Sequence, residues 1–478
     1  MSRAWTNSAT EQPDPNTTNT ATKRPPTPPN PPVPTFFDAE KQNAQAQSTS
    51  QCIDDSPPDG GLAAWSVVFG AWCAMFCSFG WINSIGTFQT YYATTLLPQY
   101  APSTIAWIPS LEVFFMFFMG PIVGYLSDTH GTRPVLLTGS ALHIIGLLMT
   151  SLATQYYQIL LAQGVCSAMG ICAIFQPAMS VIPSWFRRRR GAAYGIIASG
   201  SSVGGIVFPI MTRRLVVQVG FGWAMRVAAF VIMGLLGVMC LTIRDRGAGR
   251  GRGNGGEKKK KKKKKMDREA VLRPWREIKM RFLVAGFVLL TFGVYIPTNF
   301  VETAAIESGM RLELAQYVVP MLNAGSLLGR MAAGFLSDKV GVYNIFLLVC
   351  TITGILILGL WIPATTDAAN IAFAVLYGVT SGAYFSLPPA LVAKLAPLPE
   401  IGYWTGVLYL FSSIGGLTTN PIAGAILAHD NGSYTGMKIF SGLLLLAGTM
   451  LVLVTRIRQT GLFFDLVRME WVSSDYAI

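Results

Sequence analysis

Three polar side chains sit inside long apolar runs, where a chain gains least by carrying them: Arg330, Glu112 and Asn83. A charge at the middle of a bilayer costs about 2.5–3.5 kcal/mol on insertion scales, so such a group is either held by a partner or kept for a solute. Arg330 lies well inside its run, and its planar fork of donors fits a carboxylate through two parallel hydrogen bonds. The plainer alternative is a structural pair, or a stem that lets the charge reach the inner headgroups. Glu112, nearer the outer end of its run, is a candidate proton-coupling group, with a hydrogen-bonded packing acid as the alternative. Asn83 falls at a similar depth, so Asn83 and Glu112 are expected to meet across the outer half of a central cavity. Asn323, Tyr384 and Phe385 stand beside Gly and Pro breaks and are candidate lining residues for a bulky organic solute. Glu302, at the outer end of its run, is expected to face water.

The elements that would position these groups follow from composition. Of 478 residues 51% are hydrophobic and 13% charged, against about 25% charged in a water-soluble domain. A hydrocarbon layer about 30 Å thick needs roughly 20 apolar residues per helix. Such stretches recur near 64–88, 105–127, 134–152, 157–181, 191–212 and 221–243, then 282–303, 315–336, 343–363, 369–392, 402–427 and 437–455. The expected fold is an all-α membrane protein with 12 transmembrane helices. A Pro-rich tail over 1–58 and a tail over 457–478 flank two six-helix bundles, 59–243 and 282–456. The basic linker 244–281 between them holds Lys258–Lys265, which as a lone charge block reads first as a solvated linker and second as a lipid-attracting patch.

Charge then sets orientation, because Lys and Arg resist translocation. With a cytoplasmic N-terminus, 31 of the 37 basic residues fall on inner segments and 5 on outer ones, with Arg330 in a span. Leaving out the central linker the bias is still 14 to 5. Both termini are therefore expected in the cytoplasm, of a plasma-membrane protein, and the net charge of +13 reports topology rather than nucleic-acid binding. The seven cysteines and three histidines form no ligand spacing, so no metal or disulfide framework is expected, and His143 reads as a polar residue facing its own bundle. There is no GxSxG, HExxH, P-loop or dinucleotide fingerprint, so neither an enzyme nor a cofactor is expected.

The two halves are copies. Gly124-Tyr-Leu-Ser-Asp128 returns as Gly334-Phe-Leu-Ser-Asp338, and Gly131 as Gly341, all 210 residues on. Ser201-Ser202-Val-Gly-Gly returns as Ser412-Ser413-Ile-Gly-Gly at an offset of 211, and Pro177-Ala as Pro389-Ala at 212. Each half begins and ends inside, so these are parallel repeats that can rock about a site near the midplane. Gly124, Asp128, Gly131, Arg133, Gly334 and Asp338 are candidate latch residues. Small residues let helices two and eleven, or their repeats, approach closely, while Asp128 is expected to cap or pair with Arg133 and with the N-terminal dipole of a neighbouring helix. The second copy has Tyr343 in the place of Arg133.

GYLSDTHGTR over 124–133 resembles the loop signature of the major facilitator superfamily. Within it, DGGLAAWSVVFGAW over 59–72 and FRRRRGAAYGIIASGSSVGGIVFP over 186–209 resemble the monocarboxylate porter family, in its fungal branch. The resemblance spans about residues 59–456. It implies a substrate-binding arginine at Arg330, but the aspartate one turn before it is Ser326 here, and the family's helix-one lysine aligns with Asn83. Those departures point to a larger or less charged solute. The function implied is secondary active transport of an organic acid or related metabolite, with protons as candidate coupling ion. Export of a secondary metabolite, or a non-transporting nutrient sensor on the same fold, are the alternatives, and the oligomeric state stays open.

Overall fold

Regular hydrogen bonding is the only way a backbone can cross lipid without stranding its polar groups, and closed helices satisfy it locally. The computed structural model describes residues 57–83, 88, 91–245 and 268–460, and the described residues are helical with short connections. The N-terminal tail to residue 56, Lys258–Lys265 with the rest of 246–267, and the C-terminal tail from 461 lie outside the described residues.

Six helices make the first repeat: α1 (Leu62–Ile82), α2 (Trp107–His130), α3 (Thr132–Leu152), α4 (Tyr156–Ser184), α5 (Arg190–Val219) and α6 (Phe221–Thr242). The second is α7 (Ile278–Glu307), α8 (Val318–Val340), α9 (Val342–Trp361), α10 (Asp367–Val392), α11 (Ile401–His429) and α12 (Thr435–Thr460). Eleven of these regions are long and apolar enough to cross a membrane, and α8 completes the twelve. It is the least apolar because Asn323, Ser326 and Arg330 are buried along it between α5 and α10. Helices α5, α7 and α11 run past the expected apolar limits, since helical hydrogen bonding continues after the hydrophobic stretch ends.

A short helix, Arg268–Arg276, appears where a plain linker was expected; Arg273 pairs with Glu400 at 3.0 Å and Val271 accepts the Tyr403 hydroxyl. The turns α2–α3 and α8–α9 are made by Gly131 and Gly341 at φ of 92° and 99°, a backbone that side-chain-bearing residues adopt at a cost.

The repeats meet along two helix pairs, α2 with α11 and α5 with α8. Both seams are glycine-lined: a Cβ on Gly406 would lie 2.3 Å from the Gly120 carbonyl oxygen, and one on Gly195 would lie 2.7 Å from that of Arg330. Without a hydrophobic force between helices in lipid, such backbone-to-backbone packing supplies the adhesion. Prolines 177, 209, 297 and 421 sit inside α4, α5, α7 and α11, and α4 also carries a wide turn over Leu160–Ser167.

Candidate functional site

Arg330 projects from α8 across the seam onto α5. Its Nη1 donates to the Ala198 carbonyl at 2.9 Å and to the Ser201 hydroxyl, and its guanidinium carbon lies 5.1 Å from the Phe385 ring centroid. The side chain is buried, its Nε has no hydrogen-bond partner, and no carboxylate among the described residues lies within ion-pair distance. A buried cation held by a carbonyl, a hydroxyl and a ring face keeps its charge uncompensated, which leaves it able to attract an anionic group.

Two turns earlier on the same helix, Asn323 accepts a hydrogen bond from Asn83, at the end of α1, at 3.3 Å, and Asn83 also reaches the Ser201 carbonyl at 3.4 Å. Gly205 makes room for both amides, since a Cβ there would fall 2.5 Å from Asn83 Nδ2. Asn83, Asn323 and Arg330 therefore form one polar line where α1, α5 and α8 converge. Phe385 closes one side, edge-on to Tyr295 at 6.3 Å. Tyr384, the neighbour of Phe385, turns into its own repeat, where its hydroxyl is 2.9 Å from Thr291 Oγ1 and its ring stacks on Phe287.

Glu112 does not meet Asn83. It is fully buried inside the first repeat, where Gln163 donates to its Oε2 at 3.0 Å and Tyr92 donates to Gln163 at 2.7 Å. Equal depth fixes height along a helix but not azimuth, and each residue turns the side chain by about 100°. His143 lies on the same side, 2.8 Å from Ser167 and edge-on to Trp81, inside its bundle as expected. Glu302 is half-buried rather than open to water.

At the ends of the helices that carry the repeated Gly–Asp motif, Asp128 accepts from the backbone N–H of Tyr403 at 2.7 Å and of Gly402 at 3.3 Å, the first turn of α11. Asp338 does the same for α5, from Gly191 at 2.6 Å and Ala192 at 2.8 Å. The free N–H groups and positive dipole end of a helix are a natural seat for a carboxylate. Gly124 and Gly334 permit the approach, because a Cβ on either would run into the facing backbone. Arg133 takes no part: its Nε donates to the Ile243 carbonyl at the end of α6, so its partner is α6 and not Asp128. Tyr343, in the same place of the other repeat, donates to the Leu391 carbonyl.

Several residues at these sites carried no sequence signal. Ser201 is one serine among many. Phe117, Phe175 and Tyr409 form an aromatic contact between the repeats, with Tyr409 5.2 Å from Phe117 and 5.5 Å from Phe175, yet each reads as ordinary core. Asp59 belongs to a visible motif, but its partners were not predictable: one oxygen accepts from the N–H groups of Arg187, Arg188 and Arg189 at 2.5, 2.8 and 3.5 Å. Six cysteines among the described residues are unpaired, and no His, Cys, Asp and Glu cluster among them could hold a metal.

Known proteins resemble this arrangement closely. The family model described as Major Facilitator Superfamily matches residues 67–373 and 324–463. The MFS transporter asaE of Aspergillus flavus is 54% identical over 408 residues, covering 85% of this chain and 90% of that protein. The fujikurins efflux protein of Gibberella fujikuroi is 45% identical over 417 residues, 87% of each. Among solved structures, the E. coli fucose:proton symporter FucP aligns with a TM-score of 0.62 at 14% identity, over 81% of this chain and 98% of that one. At that identity the match speaks for the fold alone. The transport proteins of this similarity are named for the superfamily and for efflux, which is broader than the monocarboxylate porter family suggested by the motifs. With twelve helices in two repeats and both seams intact, the chain is a multi-pass membrane transport protein and belongs to the major facilitator superfamily.

Proposed function

We propose that this chain exports a small organic metabolite carrying an acidic group, by alternating access across the plasma membrane, with both termini in the cytoplasm. The observation that carries this reading is Arg330, a buried guanidinium between the repeats whose charge no described carboxylate compensates. A solute carboxylate or enolate docking there would gain a charge-assisted pair and the Nε donor. Asn83 and Asn323 supply neutral hydrogen bonds, and Phe385 with Tyr295 supplies flat apolar surface, which suits a solute larger than a simple monocarboxylate. Ser326 and Asn83 stand where that family carries an aspartate and a lysine, which weakens the monocarboxylate–proton symport reading; Glu112, inside the first repeat, remains the candidate coupling group. The direction rests on relatives named for efflux.

In this reading Asp128 and Asp338, with Gly124, Gly131 and Gly334, hold the cytoplasmic face shut while the outer face is the one free to open. The test compares metabolites inside and outside cells with and without the gene, including an Arg330→Ala variant at matched membrane abundance. Accumulation of an anionic metabolite inside the deletion strain and the Arg330→Ala strain alike is the expected result. Full export by Arg330→Ala would remove Arg330 from the substrate site, and accumulation outside the deletion strain would reverse the direction.

A further inference from the structure

Gln176 is a fully buried side chain on α4 whose amide hydrogen-bonds to both repeats at the cytoplasmic seam. Its Nε2 donates to the Gly120 carbonyl of α2 and to the Gly402 carbonyl of α11, both at 2.9 Å. Gly402 is also the residue whose N–H points at Asp128. The same glycine is thus gripped at both ends, its N–H by a carboxylate on α2 and its C=O by an amide on α4. A Cβ on Gly402 would lie 2.6 Å from Asp128 Oδ1, so the grip also requires the glycine. The amide oxygen of Gln176 is occupied in turn by the Cys172 thiol at 3.6 Å, which orients the amide with its nitrogen toward the two carbonyls.

The other seam has no such arm. The α4 and α10 repeats are offset by 212, which puts Pro388 where Gln176 stands, and proline has no side-chain donor. There Asp338 holds Gly191 and Ala192 by their N–H groups alone.

From this geometry we infer that Gln176 is a positioning residue of the cytoplasmic latch, acting on α11 only, so that the cytoplasmic end of the α2–α11 seam is held by Asp128 and Gln176 and that of the α5–α8 seam by Asp338, with Arg330 crossing the latter only deeper in the membrane. The inference rests on the alternating-access reading given above. The Gly120 bond stays within the first repeat and holds the amide in place, whereas the Gly402 bond exists only while the seam is closed and is lost when α11 swings away, which is what a latch requires. Removing it shifts the closed–open balance without touching Arg330 or the solute.

The test measures spin-label distances across each seam in the full-length protein in lipid nanodiscs without substrate, one pair at His130 and Pro399 and a second at Arg188 and Lys339. In Gln176→Met, which keeps the side-chain length and removes the donor, the open population across α2–α11 is expected to rise about fivefold, as the loss of the one hydrogen bond that crosses to Gly402 would give. The α5–α8 pair is expected to change less. Gln176→Glu, protonated at low pH, regains a single donor and is expected to fall between the two. Unchanged α2–α11 distances in a well-folded Gln176→Met protein would overturn the inference, as would equal opening of both seams. Loss of thermal stability with no shift in the populations would also overturn it, by making Gln176 a packing residue. A wild type that never leaves the closed distance, even with cell-extract metabolites added, would sink the alternating-access reading and this inference with it.

Discussion

The two repeats share a backbone plan but not an inventory of buried ionisable groups. The first buries Glu112 and His143; the second buries Arg330 and Lys438. The offset of 210 that aligns Asp128 with Asp338 puts Gly120 at the place of Arg330 and Leu322 at the place of Glu112. The offset of 211 between α5 and α11 puts Tyr409 at the place of Ala198 and Gly406 at that of Gly195. Each seam therefore pairs a large residue with a small one, but in opposite senses. On α5–α8 the large residue is Arg330 of α8, resting on the Ala198 carbonyl. On α2–α11 it is Tyr409 of α11, against Phe117, while Gly120 lies flat against Gly406. Duplication supplied two equal seams; one became charged and the other aromatic. The backbone plan keeps the symmetry, and the side chains that fill the two seams do not.

That contrast can be broken most severely at the backbone. Gly406→Leu is expected to abolish transport and lower the folded yield, since its first carbon already overlaps the Gly120 carbonyl; overpacking of this kind typically costs about 1–3 kcal/mol or more. Fluorescence size-exclusion of the tagged protein reads the yield, and a monodisperse, active variant would contradict the close seam. Arg330→Ala ranks next, with export expected to fall about a hundredfold while yield stays near normal, measured as solute efflux per surface molecule. Arg330→Lys should rescue only weakly, because an ammonium lacks the two-pronged fork.

Smaller effects separate the two latches. Asp338→Asn is expected to slow efflux several-fold and Asp128→Asn by less, because Gln176 still holds the Gly402 carbonyl when the carboxylate is gone. Equal slopes for the two variants would mean that the seams are bolted alike. The smallest change is expected from Glu112→Gln, which keeps an acceptor for Gln163. Efflux at a fixed pH should stay within about twofold, and any dependence on the proton gradient should disappear. A gradient dependence that survives would remove Glu112 from coupling.

Much of this was legible in the sequence, for identifiable reasons. Helix positions follow from apolar length, and most helices begin and end within a few residues of the runs that announced them, while α5 continues to Val219 and α12 to Thr460, past runs expected to end near 212 and 455. The Gly and Asp contacts at the two seams were legible because these residues occur twice in register. Azimuth was not: Glu112 was expected to face Asn83 and instead turns toward Gln163. Arg133 was assigned to Asp128 from sequence nearness, but the end of α6 offers it a free carbonyl. Gln176 was invisible because it has no partner in the other repeat, its counterpart being Pro388, and repetition was the signal in use. The helix Arg268–Arg276 was hidden by the low-complexity run beside it.

Asp59 has a mechanical consequence. It stands at the threshold of α1 and plugs three successive amides just ahead of α5, while the first turn of α5 is itself pinned by Asp338 from the opposite repeat. These joints lie in series. A load applied to the chain ahead of residue 59 is not absorbed at the start of α1 but is handed to the foot of α5, and from there to α8. The threshold of α1 is thus tied, through the foot of α5, to the seam between the repeats.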